Sequence, residues 1–133
     1  MEQNSKYLRS NLKRVRGLGS AHEGTHHFWL ERISALALVP LSAWFVVQLV
    51  GLLIRADHDA VVVWIRQPIS ALLLGLLISM LWLHSRLGVQ VIIEDYVHAK
   101  AKKFTLLIIN SAAHLIFGAA SLMAIIHLHF VGI

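Results

Sequence analysis

Three long apolar stretches dominate the pattern of hydrophobic and polar positions along the chain. Residues 33–54 (ISALALVPLSAWFVVQLVGLLI) run for 22 positions without a charge. A helix rising ~1.5 Å per residue over that length crosses the ~30 Å hydrocarbon core of a bilayer. Pro40 lies inside this run and marks a place for a kink, with no function implied; membrane helices tolerate proline better than soluble ones do. Residues 69–93 (ISALLLGLLISMLWLHSRLGVQVII) follow directly on Pro68, a residue suited to the first turn of a helix, and carry a polar cluster at His84, Ser85, Arg86 and Gln90. Residues 104–126 (FTLLIINSAAHLIFGAASLMAII) contain His114 and several small residues that allow close helix packing. No internal repeat is visible. The pattern predicts an all-α integral membrane protein with three transmembrane helices over 33–54, 69–93 and 104–126. Residues 1–30 are polar and basic and read as a flexible or surface-lying tail ahead of a 31–133 membrane domain. A secretory leader is not expected, because the tail lacks a short apolar stretch and a small-residue cleavage site.

Composition sharpens this reading. Of 133 residues, 57% are hydrophobic and only 14% charged, more apolar surface than a water-soluble globule of this size can hide. With no cysteine, the chain has no disulfide, thiolate zinc site or Cys-ligated iron–sulfur cluster to offer. The net charge of +5 is concentrated rather than spread. Lys6, Arg9, Lys13, Arg14 and Arg16 lie in the tail and Arg32 at the mouth of the first helix, while Lys100, Lys102 and Lys103 lie in the second connection. The first connection has Arg55 and Arg66 alongside Asp57 and Asp59, and the HLHFVGI terminus has neither Lys nor Arg. In a membrane protein this asymmetry speaks to topology rather than to nucleic acid. Positive residues stay inside, so the N-terminus and second connection are predicted on the cytoplasmic or matrix side, with the first connection and C-terminus opposite.

Two constellations carry candidate chemistry. His22-Glu23-Gly24-Thr25-His26 fits H-E-x-x-H, which on a helix sets two imidazoles on one face to bind zinc with a glutamate as general base. Gly24 between the histidines and GLGSA before them speak against regular helix there, and two ligands are one short of a catalytic zinc site. These histidines are expected to line the membrane interface or meet a soluble subunit. The second constellation is the stripe His84, Gly88, Val91 and Asp95, which falls within about 60° on a wheel of ~100° per residue. His84 lies ~14 Å below residue 93, well inside the hydrocarbon, where an ionisable side chain is a functional candidate by default. Gly88, one turn along, lets something flat approach the backbone. An imidazole facing a glycine is a recurring haem-packing arrangement, although a helix–helix hydrogen bond explains a lone intramembrane histidine equally well. Asp95 and Tyr96 sit at the mouth, where a phenol can hydrogen-bond a quinone or a headgroup.

LHSRLGVQVIIEDYV, with His84, ten intervening residues, then Asp95-Tyr96, resembles the D-type membrane-anchor subunits of succinate dehydrogenase, respiratory complex II. HHFWLERISALALVPLS before and into the first helix resembles the same family and aligns Arg32 with its pre-helix arginine. The resemblance covers the chain from about Gly17 onward. It implies that His84 is one axial ligand of haem b, the other coming from a companion C-type (cytochrome b) anchor subunit, with Gly88 making room and Arg32 near the propionates. It further implies that Tyr96 hydrogen-bonds a carbonyl oxygen of ubiquinone, that Asp95 supports that site and its protonation, and that an iron–sulfur subunit and a flavoprotein subunit dock on the cytoplasmic face. On this reading the chain is a subunit of an enzyme, embedded in lipid of the bacterial inner membrane rather than the mitochondrial one, and holds no succinate-oxidising site of its own.

The remaining polar and aromatic residues have plainer expectations. His114 faces small residues and is expected to bridge helices rather than ligate; His127 and His129 face the interface; His98 needs no role. Trp29 and Trp64 suit interfacial belts, with Trp44 and Trp82 deeper. Competing readings are an anchor of fumarate reductase or another quinone-linked dehydrogenase, a His-rich metal-binding or metalloprotease membrane protein, and a structural or assembly subunit with no cofactor.

Overall fold

A computed structural model describes residues 22–55 and 58–131, and all of the regular structure in them is helical. Helix α1 spans His22–Arg55, α2 His58–Arg66, α3 Pro68–Tyr96 and α4 Lys100–Phe130. Three are long and apolar enough to cross a membrane: α3, α4 and the Thr25–Leu52 part of α1.

Burial is inverted relative to a soluble protein. Large apolar side chains point outward, among them Leu36 at 76%, Ile54 at 81% and Leu115 at 73% exposure, whereas Ser34 (0%), Ser70 (5%) and Asn110 (7%) are buried. In hydrocarbon nothing drives leucine inward, so helices associate through close packing and through polar groups satisfied between them. The helices are arranged as a row with α3 in the middle: it packs against both α1 and α4, whose backbones do not approach each other closely among the described residues. Helix α2 closes one end and contacts all three.

On the α3–α4 seam Gly118 meets Trp82. A methyl group at Gly118 would lie 3.3 Å from Trp82 Cγ. The indole also stacks on Phe117 (6.1 Å between centroids) and directs its Nε1 at Ser121 Oγ, 3.3 Å away. Gly118→Ala needs a shift of a few tenths of an ångström, but Gly118→Leu drives a branched side chain into the ring. Overpacking of this kind costs about 1–3 kcal/mol. The expected result is a lowered thermal unfolding midpoint for the detergent-solubilised protein with leucine, and a near-normal one with alanine.

Several boundaries differ from the sequence expectations. Helix α1 begins at His22, so the polar tail of 1–30 gives way to helix well before its end; residues 1–21 lie outside the described residues. The penalty of about 1 kcal/mol for Gly24 in a helix interior is too small to stop a helix continued by the long apolar run after it. Helix α1 also runs unbroken through Pro40. The first connection contains a helix of its own, α2, whose Trp64 is 9% exposed and stacks on Trp44 at 5.8 Å. Trp64 is therefore a packing residue, not part of a belt. The second connection shrinks to Val97, His98 and Ala99, and Lys100, Lys102 and Lys103 open α4. Cations at a helix N-terminus oppose its dipole. Here the tight turn brings them to the negative end of α3, where Lys103 Nζ donates to the Glu94 carbonyl at 2.6 Å.

Candidate functional site

Polar side chains along the middle helix separate onto two seams. Toward α4, Asn110 Nδ2 donates to the Arg86 carbonyl at 3.0 Å. His114 Nδ1 lies 2.8 Å from the Asn110 carbonyl, which can only accept, so the proton sits on Nδ1. Its Nε2 is then free to accept from Ser85 Oγ at 3.1 Å. Both imidazole nitrogens of His114 are thus engaged, Nδ1 within α4 and Nε2 across to α3, and the second contact is the helix-bridging role expected of it.

Toward α1, His84 Nδ1 lies 3.0 Å from Ser34 Oγ, and Ser34 Oγ donates to the Glu31 carbonyl at 2.9 Å. Among the described residues Ser34 is the only hydrogen-bond partner of His84, so Nε2 has none. His84 is half-buried. Gly88 continues its stripe, and a methyl group built there would meet nothing within 4 Å. Among the described residues the space over Gly88 is therefore open, in contrast to the filled space at Gly118. A haem fits these residues on those grounds: one imidazole with an unpartnered nitrogen, and one turn along a glycine over which nothing lies within 4 Å among the described residues. Among the described residues, no group of three or more His, Asp or Glu gathers as a self-contained metal site.

Asp95 and Tyr96 end α3 and are both exposed, Tyr96 at 79%. His98 Nδ1 donates to the Tyr96 carbonyl at 3.2 Å, and Gln90 Nε2 to Glu94 Oε1 at 2.8 Å. The mouth is thus an open platform, with the Asp95 carboxylate and the Tyr96 phenol on successive helix positions.

Arg32 stands apart from this group. It lies about 160° around α1 from Ser34 on the wheel, and its guanidinium rests 4.8 Å over the Phe28 ring. The residue that shares Ser34's face is His27, two turns earlier. His27 Nε2 is buried without a partner. It lines an open groove of about 910 Å3 between α1 and α3, together with His26, Trp29, Arg86 and Gln90. Ser34 and His27 were not singled out by pattern. A serine in an apolar run carries no signal until the opposing helix is known, and His27 was masked by its neighbours in a His-rich stretch. The H-E-x-x-H segment does lie on a helix, contrary to the expectation drawn from Gly24; the ligand shortage remains the argument against zinc.

A row of long helices with apolar residues outward and hydroxyl, amide and imidazole groups gathered between them defines a multi-pass integral membrane protein. This chain belongs to the succinate dehydrogenase/fumarate reductase transmembrane subunit family, whose model matches residues 6–120. A relative from Rickettsia bellii is 33% identical over 103 residues, covering 76% of this chain and 80% of its own. One from Paracoccus denitrificans is 30% identical over 115 residues, covering 86% and 84%. A third, from Rickettsia conorii, is 30% identical over 107 residues, covering 77% and 81%. Each of the three is named a succinate dehydrogenase hydrophobic membrane anchor subunit. No solved structure matches the chain.

Proposed function

We propose that this chain is the membrane anchor of a succinate:quinone oxidoreductase, holding haem b together with a C-type anchor subunit and contributing part of the ubiquinone-reduction site. The observation that carries the reading is the stripe on α3: His84 with an unpartnered Nε2, Gly88 with open space above it, and Asp95-Tyr96 where the same helix reaches the interface. His84 would hold the iron and Gly88 would admit the ring; both nitrogens of His114 are engaged, and the family resemblance assigns the other iron ligand to the companion subunit. The haem, when bound, supplies a one-electron store beside the path to quinone. Arg32 faces elsewhere on α1, and a role at the propionates would require them to pass that side.

Quinone reduction consumes two electrons and two protons, so its site must lie within reach of both a soluble electron relay and water. The end of α3 satisfies both. Tyr96 would donate a hydrogen bond to a quinone carbonyl oxygen, and Asp95 would hold or pass on a proton taken from the aqueous side. The positive-inside distribution supports a cytoplasmic position for this mouth and the N-terminus, where the iron–sulfur and flavoprotein subunits would dock. The lysines that open α4 are explained by that topology alone, and contact with an acidic subunit is an addition to it. The family spans succinate- and fumarate-linked anchors, and the names of the relatives favour the former.

Affinity capture of the tagged chain from its native membranes in mild detergent tests the assignment. The expected eluate contains a flavin-bearing and an iron–sulfur polypeptide and reduces quinone with succinate. An eluate without flavin and without that activity would refute it.

A further inference from the structure

We propose that Ser34 is the positioning residue of His84: its hydroxyl oxygen accepts a hydrogen bond from the Nδ1–H of the imidazole and so fixes the Nε2 lone pair toward the haem. The inference rests on the reading of His84 as an axial ligand and adds a residue that the reading does not contain. Ser34 is wholly buried (0% exposed) and lies on α1, fifty positions from His84 in sequence, with Oγ and Nδ1 3.0 Å apart. A serine hydroxyl has one proton to give. Ser34 gives it to the Glu31 carbonyl at 2.9 Å, an atom that can only accept, which leaves its oxygen as the acceptor toward His84.

The consequence follows from imidazole chemistry. A neutral ring carries one N–H and one lone pair, and a proton held at Nδ1 puts the lone pair on Nε2. The opposite tautomer would present an N–H to iron and could not ligate. Acceptance of the Nδ1 proton also makes the ring a stronger donor through Nε2 and pins its rotation, the usual work of a hydrogen-bond partner behind a metal ligand. The Ser34 hydroxyl is itself polarised by its bond to Glu31, which strengthens it as an acceptor. The α1–α3 contact would then do more than join two helices: it would set the tautomer and the angle of the haem ligand.

The test uses the assembled complex carrying Ser34→Ala, Ser34→Thr or Ser34→Cys, read by haem content, by the g-values of the low-spin ferric haem and by redox titration. Ser34→Ala is expected to weaken haem retention by about ten-fold or more. It is also expected to shift the g-values as the ring is released, and to raise the midpoint potential because the ferric form loses electron donation. Ser34→Thr keeps the hydroxyl and should behave as the parent protein. Ser34→Cys, a poor acceptor of similar size, should move in the direction of alanine. Parent-like haem content, g-values and potential in Ser34→Ala would overturn the proposal, as would equal shifts in the alanine and threonine variants, which report packing alone. Should Ser34→Ala not assemble, the other two decide: threonine unchanged with cysteine shifted supports the proposal, and both unchanged overturns it. Failure of the underlying reading looks different, since a full and unaltered haem spectrum in His84→Ala would remove the ligand itself.

Discussion

Replacement of His84 by alanine is expected to strip the b-type haem from the assembled complex while the three-helix anchor remains folded in the membrane. The two outcomes separate because His84 spends little on the fold. Its one hydrogen bond among the described residues is to Ser34, whose own proton stays satisfied by the Glu31 carbonyl after the change. Interhelical hydrogen bonds in membranes are worth about 0.6 kcal/mol on average, so the α1–α3 contact should survive. An axial ligand, by contrast, is a direct bond to iron, and its loss should exceed the 10–100-fold cost typical of disturbing groups behind a metal ligand. The measurement is the reduced-minus-oxidised absorption spectrum of the purified complex, with assembly followed by subunit stoichiometry. A normal low-spin spectrum, once a substitute ligand has been excluded, would leave His84 as a helix–helix bond and nothing more. Gly88→Leu gives a companion test: this chain has open space at that position, so a bulky side chain should disturb haem binding without disturbing the helices around it. Gly118→Leu should do the reverse, because Trp82 already occupies the space.

The three spans were legible because a bilayer demands about twenty apolar residues per crossing, and 33–54, 69–93 and 104–126 each meet that demand. Helix ends were less so. Hydropathy reports where a segment enters hydrocarbon, not where its backbone hydrogen bonds stop, and α1, α3 and α4 all continue into the polar flanks. Helix α2 is short and its Val61, Val62 and Val63 are weak helix formers, so the pattern does not announce it; the stacking of Trp64 on Trp44 and the burial of Ile65 hold it. Arg66 Nη2 then ties it to the Val131 carbonyl at 2.9 Å, closing the C-terminus of α4. His84, Gly88, Asp95 and Tyr96 could be grouped from one helix alone, since a single wheel relates them. Ser34, His27 and the engagement of His114 depend on which helix faces which, and a linear pattern does not carry that. Arg32 shows the converse: it sits close to Ser34 in sequence, yet lies on the far side of the same helix.

Replacement of Tyr96 by phenylalanine is expected to lower succinate:quinone reductase activity by about ten-fold, the worth of one well-made hydrogen bond at ~1.4 kcal/mol. Succinate oxidation measured with a water-soluble artificial acceptor should change little. The substitution keeps the ring and removes one oxygen, which makes no hydrogen bond within the chain among the described residues; the bond from His98 goes to the Tyr96 backbone carbonyl and persists. Tyr96 is 79% exposed in the chain by itself, so no packing is lost from the anchor. On the proposed reading, what disappears is the donor to the quinone oxygen on which negative charge builds as electrons arrive. A bond that strengthens as that charge develops contributes more to the transition state than to the bound quinone, so the loss should fall mainly on kcat and less on KM. Upstream steps, from succinate to the iron–sulfur relay, do not pass through this phenol and provide the internal control. Equal loss of both activities would place Tyr96 in subunit docking instead, since only a fault in assembly at this exposed platform would reach the succinate-oxidising subunits from the end of α3.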